Sequence, residues 1–149
     1  MLHCTIITTS YVKRSHFTFL IFQFTIIYQM SIYQTKLRQL EQRMIDFSVE
    51  VIRSFDKYSN SPTLWTSVEQ LLKSVTSIGA NYTEANNASS KIDFRNKIFI
   101  AKKEAAETRY WLEILDKSLP NENFAHLQQE ALELNLILQK IISTMKNSN

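Results

Sequence analysis

The chain has 149 residues, a net charge of +3, 44% apolar and 21% charged residues, and a single cysteine, Cys4. That length fits one domain, and one Gly with two Pro is too little punctuation for a turn-rich β-fold. One cysteine excludes an internal disulfide framework and a cysteine-rich zinc site, and fits a cytoplasmic protein.

Residues 1–29 differ from the rest. They are rich in Ile, Phe, Thr and Tyr, contain Lys13 and Arg14 but no acid, and show no three-four spacing. Basic residues followed by an apolar run suit a signal peptide, but no small-residue cleavage site follows. A membrane span needs about 20 apolar residues; this run is shorter and is interrupted by Thr18, Gln23 and Thr25. No membrane association is expected. The segment reads as a non-native upstream extension, or a disordered or signal-like stretch, with Met30 as the expected start and 30–149 as the domain. From Met30 onward 15 Lys and Arg stand against 14 Asp and Glu, so the body is nearly neutral. The basic pI alone is thus a poor pointer to nucleic acid.

From Leu37 the pattern becomes helical. Leu37, Leu40, Met44, Phe47, Val51, Ser54 and Tyr58 recur every three or four residues, which sets one stripe on one helix face. Ser61 reads as an N-cap with Pro62 at the first helical position. The second stripe is Leu64, Val68, Leu71, Val75, Ile78, Tyr82 and Ala85, with Gly79 inside it. A helix-interior Gly costs about 1 kcal/mol against Ala, so Gly79 reads as a point of close approach. Asn86-Asn87-Ala88-Ser89 is too short to do more than reverse the chain.

The third helix is expected to start near Ser90, with Asp93 completing a capping-box-like arrangement. Its stripe is Phe94, Ile98, Ala101, Ala105, Thr108, Leu112 and Leu115, small at the centre. The fourth is expected to open at Asn121 with Glu122 in its first turn, and carries Phe124, Leu127, Ala131, Leu134, Leu138, Ile141 and Met145. Together these predict an all-α, up-down-up-down antiparallel four-helix bundle. Further apolar residues lie off these stripes: Ile92, Phe99, Ala106, Tyr110 and Trp111 on helix three, and Leu132, Leu136, Ile137 and Ile142 on helix four. More apolar surface than one core stripe requires predicts self-association.

No catalytic set emerges. The histidines are His3, His16 and His126, and nothing resembles a nucleophile elbow or a phosphate loop. Glu104 and Glu107 lack a following His, and Glu122 with His126 has no second pair, so a di-metal site is not expected. No cofactor, metal or small-molecule substrate is indicated. Lys91, Arg95, Lys97, Lys102 and Arg109 form a basic run that reads either as a solvated face or as a contact for RNA or DNA phosphates. Asn81, Glu84, Glu104 and Glu107 read as a polar network, or plain surface, near Lys103, Thr108 and Tyr110.

Ile78-Gly79-Ala80-Asn81-Tyr82-x-Glu84-Ala85, then Ala88-x-Ser90-x-x-Asp93-Phe94, then Ile100-Ala101-x-Lys103-Glu104-Ala105-x-Glu107-Thr108-x-Tyr110-Trp111-Leu112 resembles the four helix bundle protein family, also called the 23S rRNA intervening-sequence protein family. The resemblance spans roughly Lys36 to Met145. It implies an all-α bundle that assembles as a homo-oligomer, typically a pentameric ring, with no established enzymatic activity. Related bundles act as basic accessory proteins to reverse transcriptases, which implies nucleic acid as an alternative partner. It also implies packing and assembly roles for Gly79, Glu84, Glu104, Glu107, Tyr110 and Trp111, and Asn81 and the off-stripe Phe99 are expected to serve packing or assembly with them.

Overall fold

The computed structural model describes residues 2–146, and side chains over 21–145. It contains four α-helices: α1 (Leu2–Phe55), α2 (Trp65–Asn86), α3 (Lys91–Ser118) and α4 (Ala125–Lys146), with a short 3-10 turn at Asp56–Tyr58. No strand occurs among the described residues. The chain divides into two units, Met1–Leu40 and Glu41–Asn149.

The first unit is helical from Leu2, far ahead of Leu37, where the three-four spacing begins. Residues 21–30 are all exposed, among them Ile21, Phe22, Phe24, Ile26, Ile27, Tyr28 and Met30. Over 21–30 no face is buried, and a stretch that buries no face has no reason to carry a three-four period, so spacing alone misses it. No helix among the described residues is long and apolar enough to cross a membrane. The side chains of His3, Cys4, Lys13, Arg14 and His16, and the tail Asn147–Asn149, lie outside the described residues.

In the second unit the helices pack in the order of the chain. Ser48, Met44 and Glu41 of α1 meet Val75, Gly79 and Thr83 of α2. One series of numbers falls as the other rises, so the two helices are antiparallel. The same opposition holds for α2 and α3, through Ser74 with Thr108 and Glu84 with Lys97. It holds for α3 and α4, through Lys102 with Asn135 and Asp116 with Phe124. It closes the circuit for α1 and α4, through Arg43 with Glu130 and Phe55 with Phe124. α1 and α3 therefore occupy diagonal corners, each flanked by α2 and α4.

The core follows the stripes with two substitutions. Met44, Phe47, Val51 and Phe55 of α1 are buried, Phe55 taking the place expected of Ser54. Its ring stacks at 4.5 Å on Phe124. Val68, Leu71, Val75, Ile78, Tyr82 and Ala85 face inward from α2, and Ile98, Ala101, Ala105, Leu112 and Leu115 from α3. On α4 Ile142 rather than Ile141 completes the buried row of Leu127, Ala131, Leu134 and Leu138.

The helix starts separate into one confirmed and two corrected. Ser90 caps α3: its Oγ accepts from the Asp93 amide at 3.1 Å, while Asp93 Oδ2 accepts from the Ser89 amide at 3.3 Å. α2 begins at Trp65, not Pro62; residues 62–64 form a turn in which the Ser61 carbonyl accepts from the Leu64 and Trp65 amides. α4 begins at Ala125, not Asn121. Side chains from elsewhere take the free amides there: Asp116 Oδ1 accepts from Phe124 N, and Asn123 Oδ1 from Ala125 N, both at 3.0 Å. Glu122 stays in the loop, where it binds Lys57 and the Tyr58 hydroxyl.

Candidate interaction face

One face of α3 packs on the core along its length; the opposite face carries Ile92, Arg95, Phe99, Lys102, Lys103, Ala106, Arg109 and Tyr110, at helical spacings that bring them onto one side. Ile92 is 74% exposed, Phe99 44% and Tyr110 59%, and Leu136 of the adjoining α4 is 57% exposed. Where α3 meets α4, a groove of about 220 Å³ is lined by Ala105, Ala106, Arg109, Tyr110, Leu132 and Asn135, with Glu113 at its end. The floor is small because Ala105 and Ala106 are small. The two helices are tied beside it by Asn135 Nδ2, which donates to the Lys102 carbonyl at 2.9 Å. Lys102 Nζ lies 6.0 Å from the Phe99 ring centroid, at the edge of cation–π range. Tyr110 and Trp111 meet edge to face at 5.2 Å.

Of the off-stripe apolar residues, Ile92, Phe99, Ala106, Tyr110 and Leu136 are exposed, and Trp111, Leu132 and Ile137 are half-buried. Ile142 belongs to the core instead. The five basic residues do not behave alike. Lys97 pairs with Glu84, and that hydrogen bond holds its pKa above the ordinary lysine value. Lys91, Arg95 and Arg109 are exposed and Lys102 is half-buried; none of these four is in an ion pair among the described residues.

Asn81, Glu84, Glu104 and Glu107 are not joined by any hydrogen bond among the described residues. Asn81 Nδ2 donates to the Ser77 carbonyl, Glu84 holds Lys97, and Glu107 accepts from Trp111 Nε1 at 3.2 Å. Glu104 is half-buried, and burial, then the neighbouring Glu107 charge, raises its pKa. The buried polar pair of the bundle is different: Thr108 Oγ1 donates to Ser74 Oγ at 3.0 Å. Gly79 packs on α1, where an added Cβ would lie 3.6 Å from Met44 Cβ, an ordinary contact distance.

His126 Nε2 lies 3.2 Å from Glu50 Oε1 on the surface between α4 and α1. Among the described residues no three His, Cys, Asp or Glu side chains are grouped to hold a metal ion. A second exposed apolar row runs along α1: Ile45, Val49 and Ile52. Sequence reading passes over it, although its i, i+4, i+7 spacing, one step off the core stripe, was available as a signal.

Residues 37–140 match the family described as 23S rRNA-intervening sequence protein. A crystal structure of a protein with unknown function from the S23 ribosomal protein family of Bacteroides thetaiotaomicron is 35% identical. The likeness covers 69% of this chain and 97% of that one, with a TM-score of 0.64. No curated protein matches. With the family match running over most of the chain and the four-helix architecture in common, this protein belongs to the 23S rRNA-intervening sequence protein family.

Proposed function

We propose that this protein is a non-enzymatic interaction or scaffold bundle that assembles as a homo-oligomer, with the pentameric ring as the expected stoichiometry. The supporting observation is the exposed apolar face of α3 and α4. Tyr110 lines a groove with Ala105, Ala106 and Leu132, and Phe99 and Leu136 are exposed on the same two helices. Isolated exposed apolar residues are normal, but a contiguous set beside a groove marks a protein contact. Aromatic residues near the centre of such a patch are the usual anchors of an interface. Light scattering on the full chain tests this. The expected mass is a multiple of 17.5 kDa. Leu136→Glu, which sets a charge beside the groove, is expected to return it toward the single-chain mass. A wild-type chain that is monomeric at high concentration refutes the reading.

A second reading, nucleic-acid binding, draws on the same face. Arg95, Lys102 and Arg109 recur every seven residues beside Phe99, a spacing that sets cations and an aromatic ring along one line. Such binding is expected to weaken steeply with salt and to fall in Arg95→Glu with Lys102→Glu. RNA affinity that ignores both salt and these charges removes it.

A further inference from the structure

The groove between α3 and α4 needs an occupant of particular chemistry. Ala105, Ala106 and Leu132 line it with Arg109, and Glu113 stands at its end; Lys102, whose carbonyl is bonded by the lining Asn135, lies beside it, with Arg95 and Lys103 on the same helix face. A helix that fills it must offer a row of aliphatic side chains with acids alongside. The chain itself carries such a helix. Ile45, Val49 and Ile52 form an exposed row on α1, and Asp46, Glu50 and Arg53 line a shallow depression with Val49. None of these residues belongs to the buried core, and Glu50 also faces His126.

The two faces lie on different sides of the bundle, because α1 and α3 occupy diagonal corners. A chain therefore cannot fill its own groove, yet it can give its α1 row to one neighbour and accept the row of another. We propose that self-association, if it occurs as inferred above, is head to tail: the Ile45–Val49–Ile52 row of one copy seats in the α3–α4 groove of the next, with Asp46 and Glu50 facing Lys102 and Arg109. The symmetric alternatives are opposed by charge. Groove against groove brings together two copies of a face on which Arg95, Lys102, Lys103 and Arg109 outnumber Glu113, and row against row two copies of a face on which Asp46 and Glu50 outnumber Arg53; a surplus of like charge at close range disfavours a pairing. A contact between two different faces repeats until it closes into a ring or extends as a filament.

This inference rests on the self-association reading, and charge exchange separates the two. Full-length chains carrying Asp46→Lys with Glu50→Lys, or Lys102→Glu with Arg109→Glu, are compared with a chain carrying all four changes. Masses are read by light scattering at low salt, and thermal melts by circular dichroism check the fold. Each double variant is expected to fall to the single-chain mass, with at least about a ten-fold rise in dissociation constant. The fourfold variant is expected to regain the wild-type mass. An equimolar mixture of the two doubles is expected to associate beyond the single-chain mass, each row seating in the other variant's groove, although strict alternation cannot close a ring of five. If the lysine pair melts without cooperativity, Asp46→Asn with Glu50→Gln takes its place, and weaker assembly is again expected. An oligomeric wild type whose mass is untouched by the α1 changes overturns this pairing and leaves self-association standing. So does a fourfold variant that stays monomeric. A monomeric wild type overturns both.

Discussion

Arg43 of α1 grips Glu130 of α4 with both arms of its guanidinium: Nε donates to Oε1 at 2.6 Å and Nη2 to Oε2 at 2.7 Å. Nη2 also reaches Glu133. The hydrogen bonds to Glu130, then to Glu133, raise the Arg43 pKa, and the same contact lowers that of Glu133. The first and last helices of the bundle have no loop between them, so this fork is one of the few polar ties that close the circuit. Lysine keeps the charge but not the fork. The pair stands partly in water, so Arg43→Lys is expected to cost about 0.5–1 kcal/mol, and urea unfolding measures it.

Gly79 offers the opposite change. It sits inside α2 with a helical φ, and a methyl group there makes only an ordinary contact with Met44. Gly79→Ala is expected to stabilise the bundle by about 0.5–1 kcal/mol, because Ala loses less backbone freedom in a helix. A lower midpoint in urea would mean that the methyl group is not accommodated against Met44.

The hydroxyls of Ser74 and Thr108 are fully buried between α2 and α3 and bonded to each other. Each also reaches a carbonyl of its own helix, Leu71 for Ser74 and Glu104 for Thr108. Thr108→Val alone is expected to cost about 1 kcal/mol, since the Ser74 oxygen loses a donor in a dry site. Adding Ser74→Ala removes the stranded group, so the double variant is expected to cost less than the sum of the singles. A double-mutant cycle by urea unfolding reads the difference.

Glu104 and Glu122 should respond to acid in opposite ways. Burial and the nearby Glu107 charge raise the Glu104 pKa, so the folded chain holds that proton more tightly than the unfolded chain does. Its cost is full at neutral pH and fades as pH falls through the raised value toward the ordinary one. Glu104→Gln is therefore expected to stabilise the neutral protein by roughly 0.5 kcal/mol or less, with the gain vanishing in acid. Hydrogen bonds from Lys57, then Tyr58, lower the Glu122 pKa. That contribution is present above the ordinary carboxylate value and disappears as pH falls through the lowered one. Melts of wild type, Glu104→Gln and Glu122→Gln at neutral and acidic pH distinguish the two signs.

The three-four rows of Met44 to Val51, Val68 to Ala85, Ile98 to Leu115 and Leu127 to Leu138 determined the four helices and their inward faces, because burial of one side imposes that period on the sequence. The Ser90–Asp93 cap was legible for a similar reason: it is formed by residues three apart in the chain. The stretch before Leu37 was not legible as a helix, since nothing buries a face of residues 21–30. The starts of α2 and α4 also escaped. Asn121 and Glu122 have the chemistry of a cap, but Asp116 and Asn123 take the amides, and Glu122 is drawn to Lys57 across the bundle. Which of two adjacent residues enters the core, Phe55 or Ser54 and Ile142 or Ile141, depends on how the helices are rotated against one another. The basic run and the off-stripe aromatics could be named from their order alone. That Lys97 is held by Glu84 and that Arg109 and Tyr110 line a groove with Leu132 are matters of side chains far apart in sequence. Those distances are set only when the helices pack.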